Sequence, residues 1–233
     1  MQLYDSTVPS GNAYKVHLLF SHLEAPYTVT SLRILPPRSG SHEWHFLAIN
    51  PNGKVPALRL DDGTVLTESN ATLFYLADGT PYLPDDKLER AQVLQWMFFE
   101  QFSHEPYVVR LSHRDGMVPS PAGADVCPQA KWKFRTYWAP HGFSDLPESQ
   151  IEQVRAAAQS ALDVMEAHLS QGEREWFVGR NHSITDIALF AYTQHAEVLG
   201  FRVGETVKTW LRQVESTKGW IRIAKDPTGK NPF

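Results

Sequence analysis

The chain has 233 residues, of which 42% are hydrophobic and 21% charged, a composition typical of a folded globular protein. Because domains commonly contain about 100 to 150 residues, the length fits one large or two modest domains, and two are expected. A net charge of -4 and an isoelectric point near 6.2 argue against the strong positive potential that nucleic acids or anionic membranes require. Neither is therefore expected as a partner.

Cysteine content and the amino-terminal residues predict a reducing compartment. Cys127 is the single cysteine, so the chain can form neither an internal disulfide nor a thiolate metal cluster. The start shows no basic segment followed by an apolar run, and no stretch approaches the ~18 to 20 apolar residues that span a bilayer. The prediction is a cytoplasmic protein. The ten histidines have no metal-binding spacing such as His-Glu-x-x-His, so no metal is expected.

The first 77 residues alternate between strand and helix patterns. A short strand at 2–5 precedes a turn-rich segment and apolar residues at helical spacing over 13–23. A second strand is predicted over 27–35, which alternates and is rich in Val, Thr and Ile, and a short helix over 43–48. Two short apolar runs, 55–60 and 64–66, flank an Asp-Gly turn and predict a β-hairpin.

Ser69 is predicted to cap a helix over 70–77, since its hydroxyl can accept a hydrogen bond from a free amide of the first turn. The order βαβαββα is then complete, and residues 1–78 form one α/β domain. Residues 79–87 contain two prolines and a glycine and are predicted to be the interdomain linker. Helical patterns over 88–110, 151–169, 187–195 and 206–215 predict an all-α domain over 88–225, with Pro106 bending or ending the first helix and a loose tail at 226–233.

Three short motifs accompany this architecture. The segment from Asn50 to Leu58 reads Asn-Pro-Asn-Gly-Lys-Val-Pro-Ala-Leu, Glu68 and Ser69 stand at the start of the last helix of the first domain, and residues 183–186 read Ser-Ile-Thr-Asp, a helix-capping box. In this order and spacing, nearly the whole chain resembles the soluble glutathione transferases. The motifs stand where that family has its Val-Pro loop, its Glu-Ser pair and its folding-capping box. The resemblance implies a thioredoxin-like first domain and a helical bundle as the second.

The resemblance also implies glutathione as co-substrate, with no metal. In the family the proline of the Val-Pro pair is cis, so Val55 before Pro56 would pair its backbone with the cysteinyl part of glutathione like an added strand. An ordinary proline at the start of an edge strand is the alternative. Glu68 would pair the ammonium of the γ-glutamyl group, while Ser69 and the free amides of the helix start would bind its carboxylate. The alternative is that both residues only stabilise the helix start.

Lys54 and His42 are the candidates for the other end of glutathione. The resemblance places Lys54 where the family has a polar residue that reaches the glycyl carboxylate, and a point charge can serve there. His42 could also bind the glycyl carboxylate. This assignment depends on how the segment 36–40 is aligned with the family. A solvated lysine on the surface is the alternative for Lys54.

The family's reaction needs the glutathione thiolate, and a thiol with a pKa of about 8.5 is only a few per cent ionised at neutral pH. The resemblance places the group that stabilises the thiolate between the first strand and the first helix. Ser10, as a hydroxyl donor, is the first candidate and Asn12, as an amide donor, the second; a helix cap or turn is the alternative for Ser10. Because family members that reduce mixed disulfides usually carry a cysteine there, thiolate transfer is favoured over disulfide exchange.

In the family the electrophile lies between the two domains, against the first long helix. His104, Tyr107 and Arg110 are the candidates for this pocket, whereas the apolar residues of the helix are assigned to the core. The segment 112–147 contains five prolines and, over 131–135, alternating basic and aromatic residues. It is predicted to be either a lid over an aromatic or acidic substrate or an amphipathic excursion on the surface.

The sequence thus predicts a glutathione transferase that joins glutathione to a small hydrophobic electrophile, in detoxification or tailoring. Two alternatives stay open. One is a glutathione-dependent isomerase, dehalogenase or peroxidase that uses the same site, and the other is a noncatalytic binding or scaffold protein. The resemblance implies a homodimer, with the first domain of one chain against the helical domain of the other.

Overall fold

The computed structural model describes residues 1–7, 9–33, 40–108, 148–172 and 174–223. Three predictions lie outside the described residues: the pocket role of Arg110, the character of the segment 112–147, which includes Cys127, and the loose tail at 226–233.

A four-stranded sheet forms the centre of the first domain. Its strands are β1 (Gln2–Ser6), β2 (Thr28–Leu32), β3 (Ala57–Arg59) and β4 (Val65–Thr67), in the order β2-β1-β3-β4. β1 pairs in parallel with β2 and antiparallel with β3, and β3 pairs antiparallel with β4. The predicted hairpin is confirmed. Its turn includes Gly63 at a φ of 88°, a left-handed conformation that glycine adopts without steric cost.

Three helices complete this domain: α1 (Gly11–Leu23), α2 (Trp44–Leu47), which follows a 3-10 turn at Gly40–His42, and α3 (Ser69–Ala77). The predicted order βαβαββα and the thioredoxin-like fold are confirmed. α1 begins two residues earlier than predicted, because Ser10 caps it by accepting a hydrogen bond from the Ala13 amide at 3.3 Å.

The second domain is helical in the part of the chain that the structure describes. Its helices are α4 (Lys87–Phe99), α5 (Glu148–Ser170), α6 (Ile184–Thr193) and α7 (Glu205–Glu215). α4 continues into a π-helical turn, Glu100–His104, and then into one more helical turn that contains Pro106. Of the two predicted effects of Pro106, bending or ending the helix, the structure excludes the second. Instead, a widened turn stands directly before it, closed by a hydrogen bond from the Glu105 amide to the Glu100 carbonyl.

One hydrophobic core joins the two domains. α1 contributes Tyr14, Leu18 and Leu19 to the same cluster as Trp96 of α4 and Ile187 of α6. The opposite face of α1 packs on the sheet, where Val16 and Phe20 contact Leu3 and Leu58. Because burying one such side chain stabilises by ~1.5–3 kcal/mol, α1 is held firmly on both faces. It thus forms a rigid support for the loop that precedes it.

The predicted capping box at the start of α6 is confirmed, and it is wholly buried. The Ser183 hydroxyl caps the helix, while Asp186 Oδ2 accepts hydrogen bonds from the Ser183 amide at 2.9 Å and hydroxyl at 3.0 Å. Asp186 Oδ1 accepts two more, from the Phe177 amide at 3.1 Å and the Trp210 indole at 3.0 Å. One carboxylate therefore joins the start of α6 to α7 and to the loop before α6. None of the helices described here is long and apolar enough to cross a membrane.

Candidate glutathione site

The loop before β3 carries the first motif. Asn50 organises it: its side-chain amide donates to the Lys54 carbonyl at 2.7 Å, and its Oδ1 accepts from the Asn52 amide at 3.1 Å. The Val55–Pro56 bond is cis, as the resemblance implies. Among the described residues, no backbone hydrogen bond uses the amide or carbonyl of Val55. Both groups are therefore available to pair with an extended ligand.

Lys54 belongs to this loop, and His42 lies close to it. The Lys54 side chain is exposed, so its ammonium can reach a ligand carboxylate. His42 packs close to Gly53, where a Cβ atom would be 3.2 Å from His42 Nε2. Gly53 also has a φ of 62°. A larger residue is therefore disfavoured at this position both by the contact with His42 and by the backbone conformation. The structure thus brings His42 to the same loop as Lys54, and their roles in binding stay predictions.

The second motif forms the start of α3 in a way that differs from the prediction. The helix begins at Ser69, and Glu68 occupies the cap position without a side-chain capping bond. Ser69 is therefore not the cap. Its hydroxyl instead donates to Asn12 Oδ1 at 3.2 Å, and the side chain is 4% exposed. Glu68 has a φ of 68°, a conformation that costs a non-glycine residue of order 1–3 kcal/mol and is concentrated at functional sites.

Asn12 and Ser10, the two candidates for the thiolate donor, have different surroundings. Asn12 contacts the start of α3 through Ser69, and its Oδ1 also accepts from Lys15 Nζ at 2.8 Å. The Ser10 hydroxyl caps α1. Ser10 also lines a separate cavity of about 170 Å³, together with His17. The structure therefore brings Asn12, but not Ser10, into contact with the Glu-Ser motif.

A buried ion pair lies beneath Asn12. Lys15 Nζ and Glu100 Oε1 are 2.9 Å apart, and both side chains are 0% exposed. Glu100 Oε2 also accepts from the side-chain amides of Asn70, at 3.0 Å, and Gln101, at 2.8 Å. These additional hydrogen bonds to the buried ion pair offset the free-energy cost of removing its two charges from water. The pair connects the first loop, the start of α3 and the π turn of the helical domain.

His104 and Tyr107, two candidates for the electrophile pocket, differ in burial. His104 is 0% exposed, and its Nε2 lies 3.0 Å from the Thr193 hydroxyl of α6. Burial lowers its pKa to about 4, so the ring stays neutral. Tyr107 is partly buried against the hydrophobic core. His104 thus belongs to the interior of the helical domain, which does not favour a pocket role, and the role of Tyr107 stays a prediction.

The π turn explains this correction and a residue that the prediction missed. A π turn adds one residue to the helix. Each side chain after the turn therefore points in the direction that the side chain of the preceding residue would take in a regular α-helix. Glu105 therefore takes the place expected for His104, and it is only partly buried whereas His104 is fully buried. The helix-internal Pro106 was the single local signal of an irregular turn in this segment.

The electrostatics of Glu105 are unusual for an acidic residue beside a ligand site. Burial raises the pKa of its carboxyl above the ordinary value, and the nearby charge of Glu100 raises it further. Lys15, the Asn12 side chain and Lys54 act in the opposite direction. In the part of the chain that the structure describes, no cluster of three or more histidine, cysteine or acidic residues is placed to hold a metal ion.

Taken together, a thioredoxin-like domain, a cis-proline loop and a helical second domain define a protein of the glutathione transferase fold class. Family models agree with this class. Residues 9–78 match the glutathione S-transferase amino-terminal domain, and residues 128–221 match the carboxy-terminal domain. The chain belongs to the glutathione transferase family.

Individual relatives give the same result. The chain is similar to a glutathione S-transferase structure from Pseudomonas fluorescens Pf-5, with 36% identity, a TM-score of 0.74 and coverage of 95% of this chain and 98% of that one. A glutathione transferase from Burkholderia graminis, solved with two glutathione molecules per subunit, is 26% identical with a TM-score of 0.68, covering 94% and 84%. The disulfide-bond oxidoreductase YfcG of Escherichia coli K12 is 26% identical over 217 residues, 89% of this chain and 87% of that protein.

Proposed function

We propose that the protein is an enzyme that binds glutathione, stabilises its thiolate through Asn12 and transfers it to an electrophilic small molecule. The contact between Asn12 and Ser69 is the observation that carries the proposal, because it joins the first turn of α1, which would activate the thiol, to the helix start that would bind the γ-glutamyl group. The glutathione that was solved with the Burkholderia relative supports the choice of ligand.

The orientation of the Asn12 amide supports its role as a donor. A lysine ammonium can only donate hydrogen bonds, so the oxygen of the amide must be the atom that faces Lys15. Both Lys15 and Ser69 then use Oδ1, which leaves the Nδ2 group as the donor of Asn12. Lowering the thiol pKa by two units needs about 2.7 kcal/mol, and donors aimed at the thiolate can contribute it.

The remaining site residues fit the two ends of the tripeptide. The free amides at the start of α3 and the Ser69 hydroxyl would bind the γ-glutamyl carboxylate, and Glu68 its ammonium. The unpaired backbone of Val55 would bind the cysteinyl part. Lys54, with His42 beside it, would bind the glycyl carboxylate. The electrophile would lie on the side of the helical domain, and its identity is open to a screen of halides, epoxides, enones and peroxides.

Calorimetry tests whether glutathione is bound at all. We expect a dissociation constant between micromolar and low millimolar, as a typical co-substrate site would give. The absence of binding at millimolar glutathione would contradict the enzyme and favour a noncatalytic scaffold. The same titration with S-hexylglutathione, which lacks the free thiol, serves as a control for binding that does not depend on thiolate formation.

Replacing Asn12 with alanine is expected to lower the fraction of bound glutathione that is ionised at pH 7 by about tenfold or more, because the thiolate loses its amide donor. Ultraviolet difference titration of bound glutathione measures this fraction. Ser10→Ala is expected to change it little and instead to lower stability by about 1 kcal/mol, as loss of a helix cap does. Asn181→Ala, at an exposed position, is the matched control. If Ser10→Ala raises the thiol pKa and Asn12→Ala does not, the activating residue is Ser10.

Disulfide exchange is a second candidate, favoured by the similarity to the oxidoreductase YfcG. The first loop of this chain contains no cysteine, so a mixed disulfide with the protein cannot form there. Reduction would then need two glutathione molecules to react in turn. A disulfide substrate belongs in the same screen, and turnover of it without turnover of any carbon electrophile would replace the transferase proposal.

We further propose a cytoplasmic homodimer. A stripe of apolar side chains on α4 and the following π turn, Leu94, Phe98 and Phe102, is 37%, 70% and 80% exposed in the single chain. Their spacing of four residues puts them on one face. Two large aromatic side chains exposed to this degree indicate a surface that another protein covers.

The double variant Phe98→Asp and Phe102→Asp is expected to be monomeric, because two carboxylates would have to be buried in the interface. Sedimentation velocity measures the change from the dimer expected of the unaltered protein. Val198→Asp, at a position that is 64% exposed on a different surface, is expected to stay dimeric. A monomeric unaltered protein would contradict the proposal.

A further inference from the structure

A chain of hydrogen bonds joins three side chains of the first domain, Tyr27, His17 and Asp5. The Tyr27 hydroxyl lies 2.6 Å from His17 Nδ1, and His17 Nε2 lies 2.9 Å from Asp5 Oδ2. Asp5 Oδ1 also accepts from the Ser6 amide at 2.6 Å. The Tyr27 ring is stacked on Phe20, with 4.1 Å between the ring centroids. The phenol, the imidazole and the carboxylate are therefore each held in place by two contacts.

The chemistry of the carboxylate determines the direction of these hydrogen bonds. A carboxylate can only accept, so the proton of the neutral imidazole lies on Nε2, which faces Asp5. Nδ1 then carries a lone pair and accepts from the Tyr27 hydroxyl. Burial and the charge of Asp5 raise the pKa of Tyr27, so the hydroxyl keeps its proton in the resting protein. The three groups thus follow the order of nucleophile, base and orienting carboxylate that is used in nucleophilic catalysis.

The same three side chains line the cavity of about 170 Å³ that Ser10 borders. Pro9, Ile221 and Ile223 give this cavity an apolar wall, and Arg222 adds a cation. A cavity of about this size can hold one benzene ring.

The cavity is distinct from the proposed glutathione site. Tyr27 directly precedes β2, whereas the cis-proline loop directly precedes β3, and these two strands lie on opposite sides of β1. Neither Asn12 nor Ser69 lines the cavity. A small uncharged group can therefore bind beside Tyr27 without occupying the place of glutathione.

We propose that Tyr27 is a nucleophile that takes an acyl group from an ester, with His17 as its base and Asp5 as the residue that positions the imidazole. The activity is separate from the proposed function and uses neither glutathione nor Asn12. The substrate class is uncharged aryl esters of short carboxylic acids, because an aryloxide leaves readily and a short acyl group fits the apolar wall. Arg222 can stabilise the negative charge that develops on the carbonyl oxygen.

The proposed reaction balances with water as the second reactant. The Tyr27 oxygen attacks the ester carbonyl carbon while its proton moves to His17 Nδ1. The bond between that carbon and the aryloxide oxygen then breaks, and the aryloxide leaves with the electron pair and takes the proton from Nδ1. Water next attacks the acyl group on Tyr27 and gives a proton to Nδ1. The carboxylic acid leaves, and the Tyr27 oxygen takes the proton back.

Two other tyrosines show what the histidine adds. Tyr14 lines the same cavity, but its hydroxyl donates to the Ile221 carbonyl at 2.6 Å, and a carbonyl oxygen is not a base that can take up the proton. Tyr75 is 53% exposed, whereas Tyr27 is only partly exposed. Accessibility alone would therefore favour a reaction at Tyr75, and activation by His17 favours a reaction at Tyr27.

Modification by phenylmethanesulfonyl fluoride, without glutathione, tests the activation of Tyr27. The sulfonyl group forms a bond to the nucleophile as fluoride leaves, and water does not readily remove it. We expect mass spectrometry of the digested protein to find Tyr27 modified at least tenfold faster than Tyr14 or Tyr75. His17→Gln is expected to slow modification of Tyr27 by about 100-fold or more, within the range of general base catalysis.

Hydrolysis of p-nitrophenyl acetate, again without glutathione, tests the complete reaction. Tyr27→Phe keeps the ring that stacks on Phe20 but removes the nucleophile, so we expect it to lose the protein-dependent hydrolysis. Tyr75→Phe is the matched control and is expected to keep the unaltered rate. Circular dichroism confirms that both variants are folded.

The role of Asp5 has a spectroscopic readout that a purely structural role would not change. In the unaltered protein the nitrogen-15 chemical shifts of the neutral His17 ring are expected to show the proton on Nε2. In Asp5→Asn the new amide can donate to Nε2, so the proton is expected on Nδ1, where it prevents transfer from Tyr27. Modification of Tyr27 is then expected to slow by about 100-fold or more.

Three outcomes would overturn the inference. They are faster modification of Ser10, Tyr14 or Tyr75 than of Tyr27, equal modification of Tyr27 in His17→Gln and the unaltered protein, and equal hydrolysis by Tyr27→Phe and Tyr75→Phe. Each of them would leave the proposed glutathione transferase intact. Failure of the unaltered protein to bind glutathione would remove the proposed function and leave this inference unchanged.

Discussion

Replacing Asp186 with alanine is expected to lower the free energy of unfolding by about 3–5 kcal/mol, because the carboxylate is wholly buried and accepts four hydrogen bonds. Its removal leaves the amides of Phe177 and Ser183 and the indole of Trp210 without acceptors, in addition to creating a cavity. Each unsatisfied buried donor costs about 1–3 kcal/mol. Urea unfolding followed by circular dichroism measures the loss.

Two variants separate this effect from simple loss of a helix cap or of a surface charge. Ser183→Ala removes the capping hydroxyl but keeps the carboxylate, and we expect it to cost about 1 kcal/mol. Asp163→Ala removes an exposed partner of Arg202 and is expected to cost between about 0 and 1 kcal/mol. A loss of less than 1 kcal/mol for Asp186→Ala would show that the joint between α6, α7 and the preceding loop carries little of the stability.

Much of the fold could be predicted because its signals are local. The Asp-Gly turn begins the hairpin between β3 and β4, and the Ser-Ile-Thr-Asp motif fixes the start of α6, each through turn or capping bonds between residues at most four apart. Helix spacing located α1, α4, α5 and α7 to within a few residues. Both types of signal reside in short segments, so a single sequence is sufficient to detect them.

The role of Ser69 could not be predicted from its neighbours in sequence. A serine before a helical pattern favours a cap, yet its hydroxyl donates to Asn12, 57 residues away. The cap position passes to Glu68, in a left-handed conformation that local propensity disfavours. A tertiary hydrogen bond thus overrides the local preference at the place where the proposed γ-glutamyl site forms.

The directions of the side chains at the end of the first long helix were predicted from a regular α-helix, and the prediction did not include the π turn. The prediction assumed a regular helix from Lys87 onward, whereas the helix widens into a π turn at Glu100–His104 and His104 lies fully buried beside Thr193. Hydrophobic spacing does not reveal one inserted residue. The π turn begins at the buried Glu100, whose ion pair with Lys15 joins residues 85 apart and is therefore not visible in the local sequence.

Lys15 illustrates the same limit within α1. A lysine among apolar residues on an otherwise well-patterned helix is expected to face water, yet this side chain is 0% exposed. Its ammonium lies between Asn12 Oδ1, at 2.8 Å, and Glu100 Oε1, at 2.9 Å. Lys15 therefore serves two parts of the molecule, since it neutralises a carboxylate of the helical domain and orients the amide of the first loop.

Replacing Lys15 with methionine is expected to lower the free energy of unfolding by about 3–5 kcal/mol, because it leaves the Glu100 charge buried without its cation. Chemical denaturation measures the change. Lys218→Met is the control: this lysine pairs with Glu24 at 2.7 Å but is 90% exposed, so its removal is expected to leave the free energy of unfolding nearly unchanged. A loss of similar size in both variants would contradict a stabilising role for the buried pair.

Combining Lys15→Met with Glu100→Gln separates the two roles of the lysine. The double variant has no buried charge at this place, so it is expected to regain a large part of the stability lost by Lys15→Met alone. It does not regain the donor that fixes Asn12 Oδ1, and the amide is then free to turn its oxygen toward the thiol. We therefore expect the thiolate fraction of bound glutathione to stay low while stability recovers. Recovery of both would mean that Ser69 alone is sufficient to orient Asn12, and that Lys15 acts only through the ion pair.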